Sequence, residues 1–493
     1  MMNNWIIMIL AIMVPVLCGL GIMIKPEWKK RNTLLTVTGA GLVLTAVLAC
    51  ATVFGGEMEL KLFSLGKNMD IYFRVDQVGR LFAMVVTVIW VLAGIYAFEY
   101  MKHEKEEKRY FGFYLVVFGV LLALVFAGNM LTLYLFYELM TLLSFPLILH
   151  SKTKEAIMGG LKYLFYSLFG AYMVLFGLYF LNKYALTLEF VPGGVLDMAA
   201  VAGHEGLLLV VAFSMIIGFS VKAGMFPLHA WLPTAHPVAP APASAVMSGI
   251  IVKMGVLGML RVVYYMFGAD FLRGTWVQTT WLILSLITVF MGSMLAYREK
   301  VLKKRLAYST VSQASYILFG MALLQPEGMT GSLLHVVFHA VIKSALFMCA
   351  GAVIYKTGKT KVDELKGIGK EMPVTIWCYT FAALALIGIP PASGFISKWY
   401  LALGALESGI HVFSWLGPVV LLVSALLTAG YLLPITINGF LPGADYDYTG
   451  LNKKEPVKTM VIPLMILAVL TIGLGLFPGG LTALISGIVN IVL

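Results

Sequence analysis

Apolar runs of about 20 residues recur from one end of this 493-residue chain to the other, each long enough to cross a hydrocarbon layer roughly 30 Å thick. Within a run the apolar residues are continuous instead of alternating, which selects spanning helices over the strands of a barrel. Composition agrees, with 60% of residues hydrophobic and 12% charged, where a soluble domain carries roughly 25% charged residues. The pattern predicts an all-α polytopic membrane protein of about 14 transmembrane helices. The spans fall near 4–24, 33–54, 77–98, 110–127, 129–150, 159–181, 205–226, 240–266, 277–296, 305–323, 330–355, 373–404, 413–440 and 458–478. The first run has neither a basic leader nor a small-residue cleavage site and reads as a retained span. The loop MELKLFSLGKNMDIYFRVDQVG alternates in polarity and predicts a short hairpin.

The charged residues orient the chain. Loops after odd-numbered spans contain KPEWKKR, KHEKEEKR, SKTK, REKVLKKR, KTGKTKVDELKGIGK and NKKEPVK, and hold 23 of the 35 lysines and arginines. The opposite loops hold about six, and the positive-inside rule then puts both termini outside the cell membrane. These loops account for the net charge of +11. A nucleic-acid partner is excluded, because that footprint needs a clustered basic face on a soluble domain. The four cysteines stand singly in apolar runs. None has the spacing of a zinc, iron–sulfur or haem site. No metal and no cofactor are expected, and any redox chemistry belongs to another subunit.

Six basic residues lie apart from the loops, most of them within spans: Lys162, Lys222, Lys253, Arg261, Lys343 and Lys398, joined by one deep acid, Glu138. An ionisable group at the bilayer centre costs at least ~2.5–3.5 kcal/mol. Arg261 and Lys162 fit snorkelling from a helix end, whereas Glu138 and Lys253 lie too far from either end of their spans. The seventh span, FSMIIGFSVKAGMFPLHAWLPTAHPVAPAPASAV, must break at Pro227, five residues after Lys222, because proline removes a donor and clashes with the preceding turn. Beyond it, His229 is a candidate relay group, and His236 fits a structural hydrogen-bond donor as well as it fits a relay. The twelfth span repeats the pattern in ALIGIPPASGFISKW, where Pro390 and Pro391 precede Lys398. Two spans interrupted at matching places point to an inverted-repeat transporter. Between them, His335, His339 and Lys343 are spaced i, i+4, i+8 in HVVFHAVIK and share one helix face. Histidine exchanges protons near neutral pH, so three aligned groups suit a relay better than a packing face.

These segments together resemble the antiporter-like subunits shared by respiratory complex I, Mrp-type sodium/proton antiporters and membrane-bound hydrogenases. The resemblance is carried by NMLTLYLFYELM, KAGMFPLHAWLPTAHPVAPAPASAVMSGIIVKMG, LKKRLAYSTVSQASY, HVVFHAVIKSALF and GIPPASGFISKW. It implies two inverted five-helix repeats with broken seventh and twelfth helices. Residues 1–109 would form three flanking spans with the hairpin, 110–266 the first repeat, 277–440 the second, and 441–493 a last span and tail.

By the same resemblance Glu138 is the glutamate of the fifth span, Lys222 its partner in the broken seventh, and Lys253 the central lysine of the eighth. His335, His339 and Lys343 form the connecting relay, and Lys398 is the terminal lysine. Lysine at 398 and Ser312–Gln313 make the chain most similar to the Mrp D-type subunit or the shorter lysine-bearing complex I subunit. The expected function is proton translocation within a redox-driven complex of NADH:quinone oxidoreductase or hydrogenase type, with other membrane subunits as partners. The alternative is an Mrp-type subunit exchanging Na+ for protons without a redox partner. A lipid- or quinone-binding scaffold that conducts nothing does not account for the deep charges. No catalytic site of the chain's own is expected.

Overall fold

The computed structural model describes residues 5–66, 68–444, 446–447, 449 and 452–493. The helices that organise it are α1 (Trp5–Ile24), α2 (Arg31–Phe54), α3 (Gln77–Tyr100), α4 (Glu107–Val125), α5 (Met130–Ile148) and α6 (Lys154–Tyr184). There follow α7 (Glu205–Ala223), α8 (Leu232–Val238), α9 (Ala241–Phe267), α10 (Trp276–Arg298) and α11 (Leu302–Ala322). The chain then forms α12 (Pro326–Thr357), α13 (Pro373–Ile387), α14 (Ser393–Glu407), α15 (Phe413–Phe440), α16 (Lys458–Leu476) and α17 (Gly479–Val492).

Every expected span coincides with one of these helices, or with two where the span is broken. Among the described residues, 12 helices are long and apolar enough to cross a membrane. The tenth span, α11, carries Lys303, Lys304 and Arg305 in its first turn, and the twelfth is divided into α13 and α14. The expected start of the first span at residue 4 lies outside the described residues. The hairpin forms as β1 (Glu59–Ser64) and β2 (Asp70–Arg74), antiparallel, with Glu59 opposite Arg74. The expected C-terminal tail is partly helical: α17 follows α16 after Phe477 and Pro478.

The two breaks are built alike. α7 ends at Gly224 (φ 80°) and α13 at Gly388 (φ 95°), both left-handed. This is the backbone region that glycine enters without steric cost and that commonly closes a helix. In each case the next residue's N–H returns to the carbonyl five residues back, Met225 to Ser220 and Ile389 to Leu384, both at 3.1 Å. Three residues past each glycine stands a proline after a cis peptide, Pro227 and Pro391. Both breaks reach the surface of the isolated chain, where Pro227, Pro390 and Pro391 are exposed. α12 is the hub. It packs against α3, α9, α11, α13, α14, α16 and α17, and its most apolar window is 94% buried.

Candidate functional site

Lys222 lies in the last turn of α7 and is fully buried. Its Nζ donates to Thr141 Oγ1 at 2.8 Å, Ser167 Oγ at 2.9 Å and the Tyr163 hydroxyl at 3.0 Å, three acceptors for the three protons of an ammonium. The Tyr163 ring lies 4.3 Å away, within cation–π range. Glu138, on α5, is the expected partner, yet the two close no ion pair, since hydroxyls occupy the Nζ. Glu138 is half-buried, with Oε1 buried and without a hydrogen-bond partner among the described residues.

Lys253 sits just beyond a π-helical turn of α9, Met247–Ile251. Such a turn displaces one carbonyl from the regular ladder, and Lys253 Nζ donates to Ser248 O at 2.6 Å. The same Nζ lies 2.7 Å from His339 Nδ1. α7 and α9 touch at Gly255, where a Cβ would stand 2.6 Å from Phe219 O and 3.0 Å from Lys222 Cβ. The close approach of these two helices brings the two lysine-bearing segments together, though no direct bond joins Lys222 to Lys253.

His335 and His339 are interior, 1% and 0% exposed. Their rings stack at 5.7 Å with an 11° interplanar angle. His335 Nδ1 contacts Ser397 Oγ at 2.9 Å on α14, and Tyr316 stacks on its other side at 5.5 Å. Both Nε2 atoms are buried without a partner among the described residues. Beyond them Lys398 Nζ donates to Leu386 O at 2.6 Å and Ile387 O at 2.9 Å, the terminal carbonyls of the half-helix α13. A cation at a helix C-terminus is held by both the unpaired carbonyls and the macrodipole. Lys343 takes a different partner, Leu306 O on α11 at 3.0 Å, so the third group of the HVVFHAVIK face bonds sideways instead of continuing the histidine stack.

His229 is half-buried with Nδ1 unpartnered, and neither ring nitrogen of the fully buried His236 has a partner. A donor role for His236 toward the chain is therefore not met. It stacks on Phe347 at 4.7 Å.

One basic-residue reading needs correction. Arg261 does not snorkel. It is 1% exposed and forms a bidentate pair with Asp76, at 2.5 and 2.8 Å, between the rings of Phe190 and Tyr265. Asp76, the cap of α3, supplies an acid that lies outside the spans and so escaped a search within them. Lys162 donates to Thr234 Oγ1 at 3.2 Å, which ties α6 to α8. Lys303 was missed because it sits in the basic cluster REKVLKKR. It is buried, and its Nζ donates to Pro237 O at 3.1 Å and to Ala239 O at the end of α8. The available signal was its alignment with Thr310 and Gln313 at i, i+7, i+10 on one face of α11.

Residues 127–428 match the family model described as "NADH:quinone oxidoreductase/Mrp antiporter, TM", and residues 63–111 the one described as "NADH-Ubiquinone oxidoreductase (complex I), chain 5 N-terminus". NADH-quinone oxidoreductase subunit N of Desulforudis audaxviator is 32% identical over 82% of this chain and 81% of its own length. The D-type subunit of the Na(+)/H(+) antiporter of Alkalihalophilus pseudofirmus is 28% identical over 96% of this chain and 94% of its own. Hydrogenase-4 component B of Escherichia coli is 29% identical over 82% of this chain and 62% of its own. Among solved structures, a chain of the Mrp complex from Dietzia sp. superposes with a TM-score of 0.85 at 23% identity, covering 100% of this chain and 98% of that one. A chain of an archaeal membrane-bound sulfane sulfur reductase superposes at 0.83, also at 23% identity, over 98% and 97%. The chain belongs to the antiporter-like membrane subunit family shared by complex I, Mrp antiporters and membrane-bound hydrogenases.

Proposed function

We propose that this chain is a proton-translocating subunit of a redox-driven membrane complex, moving protons along Lys222, Lys253, His339, His335 and Lys398. The supporting observation is the join between α9 and α12: Lys253 Nζ stands 2.7 Å from His339 Nδ1, and His339 stacks on His335. A proton leaving Lys253 enters an imidazole directly, and the second ring nitrogen releases it on the other side. Ordered water bonded to the unpartnered Nε2 atoms would bridge the two rings. Ser397 then connects His335 to the helix that carries Lys398.

Glu138, half-buried near the surface, is where charge on a neighbouring subunit is felt. A shift there alters the field at Lys222, and groups so coupled titrate as a set. Spans four to eight and nine to thirteen are the two inverted halves, each with its break open to the side. Lys343, His229 and the breaks at Pro227, Pro390 and Pro391 belong to the same path as supporting groups, with neighbouring membrane subunits as partners.

A second reading, Na+/H+ exchange in an Mrp-type assembly without a redox partner, is favoured by the near-complete coverage of a D-type antiporter relative. One experiment tests the relay under either reading. In proteoliposomes holding the assembled complex, His339→Ala should slow proton movement roughly tenfold or more, while Phe338→Leu leaves it near wild type. Equal rates in the two variants would remove the histidine line. Driving the wild-type complex with reduced donor, and separately with a sodium gradient, separates the two readings.

A further inference from the structure

Two cavities, one polar and one apolar, are lined by successive stretches of α3. The first, 550 Å³, opens beside the hairpin and is lined by Glu57, Glu59, Arg74, Gln77, Arg80 and the side chain of Ile488 from α17, among others. The second, 190 Å³ and wholly apolar, is lined by Leu81, Met84, Val85 and Val88 of α3 together with Val337 and Val341 of α12. Leu470 and Leu474 of α16 and Leu481 of α17 close it. Gln77, Arg80, Leu81, Met84, Val85 and Val88 follow i, i+3, i+4 spacing, so one face of α3 runs through both cavities. α17 also contributes to both, with Ile488 and Ile491 at the polar end and Leu481 at the apolar end. From Arg80 to Val88 is about 12 Å at 1.5 Å per residue, close to the depth of one leaflet of a roughly 30 Å core.

The charges in the polar cavity select a headgroup. Asp76 is already taken by Arg261 and by the Gly79 N–H, which leaves two arginines facing two glutamates. Arg80 Nε is buried without a hydrogen-bond partner among the described residues, and Arg74 spends one N–H on Phe190 O. Among the described residues Glu59 accepts the Tyr72 hydroxyl alone. Guanidinium groups suit a phosphate, and an adjacent pair of carboxylates suits a primary ammonium. We infer that this face of the chain binds a phospholipid with a phosphoethanolamine headgroup, its phosphate on Arg80 and Arg74, its amine on Glu57 and Glu59, and an acyl chain in the groove. Val337 and Val341 stand about 120–160° around α12 from His335 and His339. The acyl chain therefore braces the outer face of the helix whose inner face carries the histidines.

The test is lipid retention, read independently of transport. The assembled complex is stripped with detergent, exchanged against an equimolar mixture of phosphatidylethanolamine and phosphatidylglycerol, and the lipid held by this subunit is measured by native mass spectrometry. The wild type should retain phosphatidylethanolamine about tenfold over phosphatidylglycerol, the size expected of hydrogen bonds to charged groups. Glu57→Gln combined with Glu59→Gln should erase the preference, Arg80→Gln and Met84→Trp should each reduce retention of both lipids, and Val43→Trp, on the exposed surface of α2, should change neither. Equal retention of the two lipids by the wild type would overturn the proposal without reference to any variant. So would a cross-link from Val88→Cys to another subunit, which would mean that protein covers the groove.

Discussion

Lys222 ends on three hydroxyls and no carboxylate, so under the proposed function the charge of Glu138 acts on it from a distance. Glu138→Gln and Lys222→Ala should each abolish proton pumping in proteoliposomes while the complex still assembles. Lys222→Arg should impair it as well, because a guanidinium keeps its proton. Wild-type pumping by any of the three would detach this pair from transport. His150, beyond the end of α5 in the loop that follows it, carries a separate acid sensitivity. Its Nε2–H donates to Lys105 O at 2.7 Å while Arg109 Nη2 approaches Nδ1 at 3.4 Å. Burial, and then the Arg109 charge, push its pKa down from 6.5 to about 4. The folded state thus favours the neutral ring, and that stabilisation is complete above pH 6.5 and lost as the pH falls towards 4. At pH 5 the loss is about 2 kcal/mol. Thermal unfolding in detergent should show a drop between pH 7 and pH 5 that His150→Gln abolishes.

At the scale of elements, the line of groups depends on how closely helices approach. α7 and α9 meet at Gly255, and α9 meets α12 at Gly249, where a Cβ would lie 2.4 Å from Ser344 Oγ. Gly255→Val must push against the backbone of α7 at Phe219 and Ala223. Overpacking of this kind costs about 1–3 kcal/mol, and here it also moves Lys222 away from Lys253. The expected outcome is an assembled complex with proton movement reduced at least as far as in His339→Ala, measured in the same vesicles. Unchanged transport would mean that the α7–α9 contact does not carry the proton. The half-helices serve a different purpose: α13 ends in carbonyls that Lys398 satisfies from across the break, so the break and the lysine form one unit.

The whole molecule is a bundle around α12 with both breaks open to the side, as befits a subunit read by its neighbours. Counting alternate spans from the hairpin would put the basic loops, α11's first turn among them, on the side opposite it. With the positive-inside rule, this predicts that cysteines placed in NKKEPVK, or at Lys300 in REKVLKKR, label only from the cytoplasmic side. Labelling of either from outside in intact cells would reverse the orientation. Lys303 is unsuitable for that test, since it is buried against α8.

Hydrophobic run length was enough to place every span, because the cost of leaving backbone groups unsatisfied in lipid makes each long apolar run a helix. Pro227, Pro390 and Pro391 marked the breaks for a local reason, a missing donor and a ring clash. The deep lysines and histidines were legible because charge in a bilayer is costly enough to need a purpose. Partner choice was not legible. His339 takes Lys253 from another helix while its own-face neighbour Lys343 bonds α11, and Arg261 takes Asp76 from 185 residues away. Helical spacing decides which groups share a face. Which group across the gap meets them depends on how closely neighbouring backbones pack, and that is a property of the folded bundle alone.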